Sequence, residues 1–211
     1  MIIAVDGPTA SGKGTVARAV AAHFGLPHLD TGLLYRAVGY TVARMGGDPD
    51  DPASALAGTG FPDATLADPE LRSEDVGGLA SRVSRHPQVR AALFERQRAF
   101  ATQPGGAVLD GRDIGTVIAP EAEAKLFVTA SLAARAERRF REMRDSGRQA
   151  DLRDILDDLT ARDERDQNRA DAPLKVAEGA CVLDTTGMTI EQAIAEAVAA
   201  VNAATGVPAR G

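Results

Sequence analysis

The chain has 211 residues, a hydrophobic fraction of 44%, a charged fraction of 26% and a formal net charge of −6. That length buries one continuous α/β core without staples, and the composition is that of a soluble globular protein. The negative balance argues against a general nucleic-acid binder, which needs an uncompensated basic face, and no apolar run is long enough to span a bilayer.

A single cysteine, Cys181, leaves no disulfide framework and points to a reducing compartment; it sits in an apolar run and is expected in the core. The amino-terminal stretch lacks the charged and apolar regions of a signal peptide, so a cytoplasmic protein is expected. Of the 24 basic residues only three are lysine. An arginine is therefore not in itself a sign of phosphate binding here, and position has to decide.

The apolar run from Met1 to Val5 reads as a strand and is followed by Gly7-Pro8-Thr9-Ala10-Ser11-Gly12-Lys13-Gly14-Thr15, then by a helical pattern from Val16 to Phe24. This is the layout of a phosphate-binding P-loop, in which successive backbone N–H groups and the amino end of the next helix face an anion. Lys13 is placed to reach the β and γ phosphates of a nucleotide, and Thr15 or Ser11 to hold a phosphate oxygen or help place Mg²⁺. The GxxxxGK pattern is complete, but Gly14 follows it. Direct magnesium ligation by that side chain is thereby excluded, and no metal ligand is assigned. The GKGT ending is similar to that of nucleotide kinases of the adenylate kinase type.

Gly25-Leu26-Pro27 breaks the helix, His28 to Asp30 reads as a second strand, and Thr31-Gly32 opens a helix from Leu33 to about Met45. Residues 46 to 72, rich in Gly, Pro and Asp, are expected to form a surface insertion with little regular structure. Helices follow from Glu74 to about Arg85 and from Pro87 to about Ala101, with Pro87 at a first helical position. Ala107 to Asp110 and Lys125 to Thr129 read as strands around the loop Gly111-Arg112-Asp113-Ile114-Gly115-Thr116. A helix from Leu132 to about Arg144 carries Arg135, Arg138, Arg139 and Arg141, and Gly147 interrupts it. A helix from Leu152 to Asn168, a strand from Ala180 to Leu183 and a helix from Ile190 to Ala204 complete the chain; the tail from Gly206 to Gly211 is expected to be mobile. Strands separated by helices predict an α/β three-layer sandwich with a mostly parallel five-stranded sheet and helices on both faces.

Three constellations carry chemistry. Thr31 is either an N-cap or, with Arg36 and Tyr35 further along the same helix, part of a second phosphate site. Arg112 and Asp113 follow a strand; they either pair with each other or a neighbouring helix, or reach the site. Arg162, Asp166 and Arg169 fall at i, i+4 and i+7 with Arg165 beside them. A solvated ion-pair face and a phosphate clamp with a sugar-hydroxyl acceptor both fit that spacing.

GPTASGKGT at Gly7–Thr15, DTGLLYR at Asp30–Arg36, PQVRAALFERQR at Pro87–Arg98, LDGRDIGTVIAP at Leu109–Pro120 and RDERDQNRADAPL at Arg162–Leu174 together resemble the bacterial cytidine monophosphate kinase family over nearly the whole chain. A monomer is expected because no long apolar surface stripe is left over after the core helices are assigned. The resemblance implies transfer of the γ-phosphoryl of ATP, with Mg²⁺, to CMP or dCMP. It implies that Ser81, Arg90 and Asp113 read the cytosine edge, that Tyr35 packs near the base, and that Arg36, Arg112 and Arg162 hold the acceptor phosphate. Asp166 and Arg169 would sit at the sugar hydroxyls, and Lys13, Arg112 and Arg162 would carry the transfer. It further implies a core at 1–32, 105–140 and 175–205, a nucleoside monophosphate-binding arm at about 33–104, and a lid at about 141–160 whose arginines near Arg139 to Arg148 close over the site. Relatives often have Ser at the place of Thr31, and many carry a longer insertion with a small antiparallel sheet. A P-loop kinase for UMP, AMP or another small metabolite, and a regulatory nucleotide switch, are the rival readings; no NKxD guanine-reading motif is present.

Overall fold

The computed structural model describes residues 1–145 and 147–206. Beyond Gly206 the expected mobile tail lies outside the described residues, as does residue 146 of the expected lid. Five strands, β1 (Ile2–Asp6), β2 (His28–Asp30), β3 (Ala107–Gly111), β4 (Ala124–Thr129) and β5 (Cys181–Asp184), form one parallel sheet in the order β2-β3-β1-β4-β5. Because β1 is central, the loop after it opens at the middle of the sheet's carboxyl edge, flanked by the ends of β3 and β4. Ligands of open α/β sheets bind at that edge.

Both faces of β1 are apolar because both are covered. Ile3 and Val5 point to one layer and pack with Val16 and Val20 of α1 (Lys13–Phe24) and Ala197 and Val201 of α8 (Ile190–Thr205). Ala4 and, on β3, Leu109 point to the other, against Ala101 of the helix Pro87–Ala101 and Ile114 and Ile118 of a π-helical turn at Ile114–Ile118.

A second core lies beside the sheet. Leu34, Val38 and Val42 of α2 (Thr31–Arg44) pack with Leu71, Phe61 and Ala55 of the insertion, Val76 and Val83 of α4 (Glu74–Val83) and Val89 and Leu93 of α5 (Pro87–Ala101). α6 (Leu132–Asp145) and α7 (Leu152–Asn168) form an antiparallel pair around Ala136, Ile155 and Leu159. No helix among the described residues is long and apolar enough to cross a membrane.

Two expectations are corrected. Residues 46–72 contain the short helix α3 (Pro52–Ala57) and 3₁₀ turns at Gly58–Gly60, Asp63–Ala67 and Pro69–Arg72. Aspartate-proline pairs account for two of these: Asp51 accepts the Ser54 N–H at 2.8 Å and Asp68 the Glu70 N–H at 2.9 Å, while Pro52 and Pro69 supply the helical φ. Cys181 is exposed, because it opens the edge strand β5, in which Leu183 is the buried residue.

α2 and α4 cross at Gly39, where a Cβ would come within 2.8 Å of Leu79 Cβ and 2.9 Å of the Leu79 carbonyl carbon. Backbone stands in the way, so relief requires moving a helix. Gly39→Ala is expected to destabilise the protein by about 1–3 kcal/mol, as overpacked cores do, seen as a lower urea midpoint. Gly78→Ala on α4, where a Cβ meets nothing within 4 Å, is expected to be neutral or stabilising by up to about 1 kcal/mol.

Candidate active site

The loop after β1 is built around glycines that nothing else replaces. A Cβ on Gly7 would stand 2.0 Å from the Val128 carbonyl oxygen of β4. Ala10 (φ 60°) and Gly12 (φ 88°) adopt left-handed backbone and turn the chain into α1. The first N–H groups of a helix lack intrahelical partners, and the first turn of α1 holds no acidic residue, so its positive end is free for an anion. Lys13 stands in that turn. Burial, followed by the Arg112 charge, pushes its ammonium pKa down to about 8 against the pull of Asp110, Asp30 and Asp166.

Three arginines brace the loop from outside. Arg112 Nη2 donates to Thr9 Oγ1 at 2.6 Å, Arg135 Nη1 to the Thr9 carbonyl at 3.2 Å, and Arg138 Nη1 to Thr185 Oγ1 at 2.9 Å, which itself donates to the Ser11 carbonyl at 3.1 Å. Arg135 is fixed in turn by both oxygens of Asp163 on α7. The bracing role of Arg135 and Arg138 was not foreseen; their i, i+3 spacing on the helix after β4 was the available signal. Ser11 Oγ is fully buried and has no hydrogen-bond partner.

Across a cleft of about 340 Å³, two further guanidinium groups, Arg36 from α2 and Arg162 from α7, converge with that of Arg112. Arg36 Nη1 donates to the carbonyls of Leu71 and Ser73, both at 2.7 Å. A Cβ on Gly77 would come within 2.8 Å of Arg36 Nη2 and 3.2 Å of Arg162 Nη1, so this glycine lets both arginines approach the same spot. Burial and then the nearness of Arg162 lower the Arg36 pKa. Crowded like charges of this kind await an anion. Glu74 partly supplies one: it pairs with Arg139, and its Oε2, 3.9 Å from Arg162, has no hydrogen bond. Arg112 donates from Nε to Asp166 Oδ2 at 2.7 Å.

At the far end of the cleft, Asp113 pairs through Oδ2 with Arg90 of α5, and its Oδ1 lies 3.7 Å from Arg169 Nη2. Arg90 sits 5.9 Å above the Tyr35 ring, and its Nη1 is buried without a hydrogen bond, as is Arg169 Nη2. Ser81 lines the same space, its hydroxyl accepting from Arg165 Nε at 3.0 Å.

Apart from Gly7 and Pro8, the candidate binding and catalytic residues thus border one cleft, with some altered settings. Asp30, not Thr31, holds the N-cap place of α2; the Thr31 hydroxyl donates to the Asp110 carbonyl at 2.8 Å. Arg112 and Asp113 pair with α7 and α5 and not with each other. Arg169 lies past the end of α7 in extended backbone, so it leaves the helical face that Arg162 and Asp166 share. Of the arginines expected to close the site, Arg139 lines the cleft, whereas Arg141 pairs with Glu137 on the exposed surface. Asp110 was overlooked, although it ends the apolar run of β3. Its Oδ1 is buried without a hydrogen bond, 3.4 Å from His28 Nε2.

The sheet order and the glycine loop define a P-loop α/β protein. The model of the cytidylate kinase family matches residues 3–203. A cytidylate kinase of Xanthobacter autotrophicus is 56% identical over 203 residues, covering 96% of this chain and 98% of its own, and one of Methylocella silvestris is 54% identical over 210 residues, covering 97% and 95%. The chain belongs to the cytidylate kinase family. A solved structure of an uncharacterized protein from Eubacterium ventriosum, 15% identical with a TM-score of 0.54 over 96% of this chain and 98% of its own, shares the fold.

The Lys13 environment has a measurable consequence. Bound phosphates favour the charged ammonium, so above the free-enzyme pKa of about 8 binding must take up a proton. Affinity for a non-hydrolysable ATP analogue is expected to be level from about pH 7 to about pH 8 and to weaken above that by up to about tenfold per unit. Titration calorimetry checks this, and Lys13→Met should flatten the profile.

Proposed function

We propose that the protein transfers the γ-phosphoryl group of ATP to CMP or dCMP, giving ADP and the corresponding cytidine diphosphate. The observation that carries this reading is the match to the cytidylate kinases along nearly the whole chain. An oxygen of the acceptor's phosphate forms a bond to the γ phosphorus, the bond to the β–γ bridging oxygen breaks, and its electron pair leaves with ADP. The transition state is loose and highly charged, so alignment and neutralisation are the protein's main contributions, and no dedicated general base is required.

In this reading the backbone of Gly7 to Thr15, with Lys13, holds the donor. Arg36, Arg112 and Arg162 grip the acceptor phosphate, and Thr31 shapes that end of its pocket. Arg112 and Arg162 also offset charge on the group in flight. Tyr35, Ser81, Arg90 and Asp113 recognise the base: a carboxylate for the exocyclic amine and the free Arg90 Nη1 for a ring acceptor suit cytosine. Asp166 has one oxygen on Arg112 and another left for a sugar hydroxyl, with Arg169 alongside. The arm at about 33–104 and the lid at about 141–160 move over the core at 1–32, 105–140 and 175–205 and exclude water.

Among the described residues no three acidic, histidine or cysteine side chains gather as a metal cage. A hard cation held largely by phosphate oxygens and water fits such a site, with the Asp110 carboxylate, whose Oδ2 faces Gly14, and the Ser11 hydroxyl as the protein groups that would hold it. Mg²⁺ bound with ATP would neutralise phosphate charge. The protein is taken to act in the cytoplasm as a monomer.

Coupled ADP release with CMP, dCMP, UMP, AMP and shikimate tests the acceptor: turnover should be fastest with the cytidine nucleotides, and a clear preference for any other would overturn the reading. Lys13→Ala should lower turnover by about two to three powers of ten or more, with the acceptor preference retained. Arg90→Ala or Asp113→Ala should instead erode the preference for CMP over UMP.

A further inference from the structure

Asp6 is a buried carboxylate, 3% exposed, to which the reaction above gives no part. It ends β1, immediately before Gly7. Its Oδ1 accepts the Ile114 N–H and its Oδ2 the Gly115 N–H, both at 2.8 Å. Those amides directly follow Arg112 and Asp113 in the chain. The spot is crowded: a Cβ on Gly115 would meet Ala177 Cβ at 3.2 Å, Lys125 Cδ at 3.3 Å and Asp6 Oδ2 at 3.4 Å. One strand end therefore carries the donor loop forward and grips the acceptor loop sideways.

We propose that Asp6 is a positioning residue for the acceptor nucleotide: by accepting both amide hydrogens it sets the backbone from which Arg112 and Asp113 project. This rests on the proposed roles of those two residues. The chemistry is specific to an ionised carboxylate, which presents two acceptors and no hydrogen. Protonation, or replacement by asparagine, puts hydrogen on one of the two positions, and that donor would confront an N–H at 2.8 Å. The loop must then shift, and displacement of side chains that align a phosphoryl acceptor is costly to transfer.

The setting also makes this grip sensitive to acid. Burial pushes the Asp6 carboxyl up to about 6, the amide bonds from Gly115 and Ile114 oppose the rise, Asp113 adds to it and Arg112 counters it. Lys125 faces the same spot from β4. As pH falls through that value one of the two acceptors gains a hydrogen and the grip on the loop weakens.

The test is Asp6→Asn. It should lower kcat/KM for CMP by about 10- to 100-fold while the Kd for an ATP analogue changes by less than about threefold, because the altered loop serves the acceptor. The wild-type advantage should shrink between about pH 8 and about pH 5, and taking this ratio cancels the acceptor's own phosphate titration near pH 6. Hydrogen exchange of the free proteins gives a readout independent of any substrate: segment 111–118 should exchange faster in the variant. If the variant does not fold, the wild-type Ile114 and Gly115 amides alone, corrected for intrinsic rates, should lose protection below about pH 6, the value to which burial brings Asp6. Unchanged exchange at those amides, or equal losses for ATP analogue and CMP, would overturn the proposal. Faster exchange without any effect on a CMP reaction would instead indict the acceptor assignment.

Discussion

Arg112 joins three parts of the chain that are remote in sequence. One terminal nitrogen holds Thr9 of the glycine loop, its Nε holds Asp166 of α7, and its own backbone directly follows β3. A planar guanidinium with donors on several edges can make these bonds together, whereas an ammonium on a flexible stem would hold them less firmly. The distance between the two halves of the cleft is thus set by a side chain that itself carries positive charge into it. Structural tie and electrostatic field come from the same group.

Bringing this many buried cations together is opposed by desolvation and mutual repulsion, and the carboxylates nearby show how the fold remains stable without a ligand. Asp166 answers Arg112, Asp163 answers Arg135, Asp113 answers Arg90, and Glu74 stands among Arg36, Arg139 and Arg162. Removing one member of such a pair leaves the other buried and uncompensated, which usually costs more than the pair contributes. Single carboxylate deletions around this cleft therefore perturb the charge balance of the whole cluster, beyond the bond removed.

How legible each part was depends on the range of the interaction that fixes it. The glycine loop is set by local sterics and a helix end, and its pattern could be read directly. The parallel sheet follows from apolar runs separated by helical periods, and the strand limits shifted by only a residue or so. Thr31 was ambiguous because a hydroxyl at a helix start caps its own helix in most settings; here the neighbouring strand's carbonyl at Asp110 takes its hydrogen. The helical turns of residues 46–72 were signalled by Asp51-Pro52 and Asp68-Pro69, but weak hydrophobic periodicity hid them. Arg135 and Arg138 were visible as arginines and not as braces, since their partners, Thr9 and Thr185, are brought to them by packing of distant elements. Cys181 was misjudged because an apolar run does not reveal whether its strand has one neighbour or two.

The missing side chain at Gly39 sets how the region beside the sheet can travel. With the two backbones of α2 and α4 nearly touching there, and Arg36 tied to the carbonyls just ahead of α4, neither helix can slide without the other. Arg36 and Ser81 therefore stand on one stiff unit. Under the roles proposed for them, contact with a nucleobase at one end is geared mechanically to the grip on its phosphate at the other, so a partial ligand would engage the same machinery as a complete one but latch only one side of it.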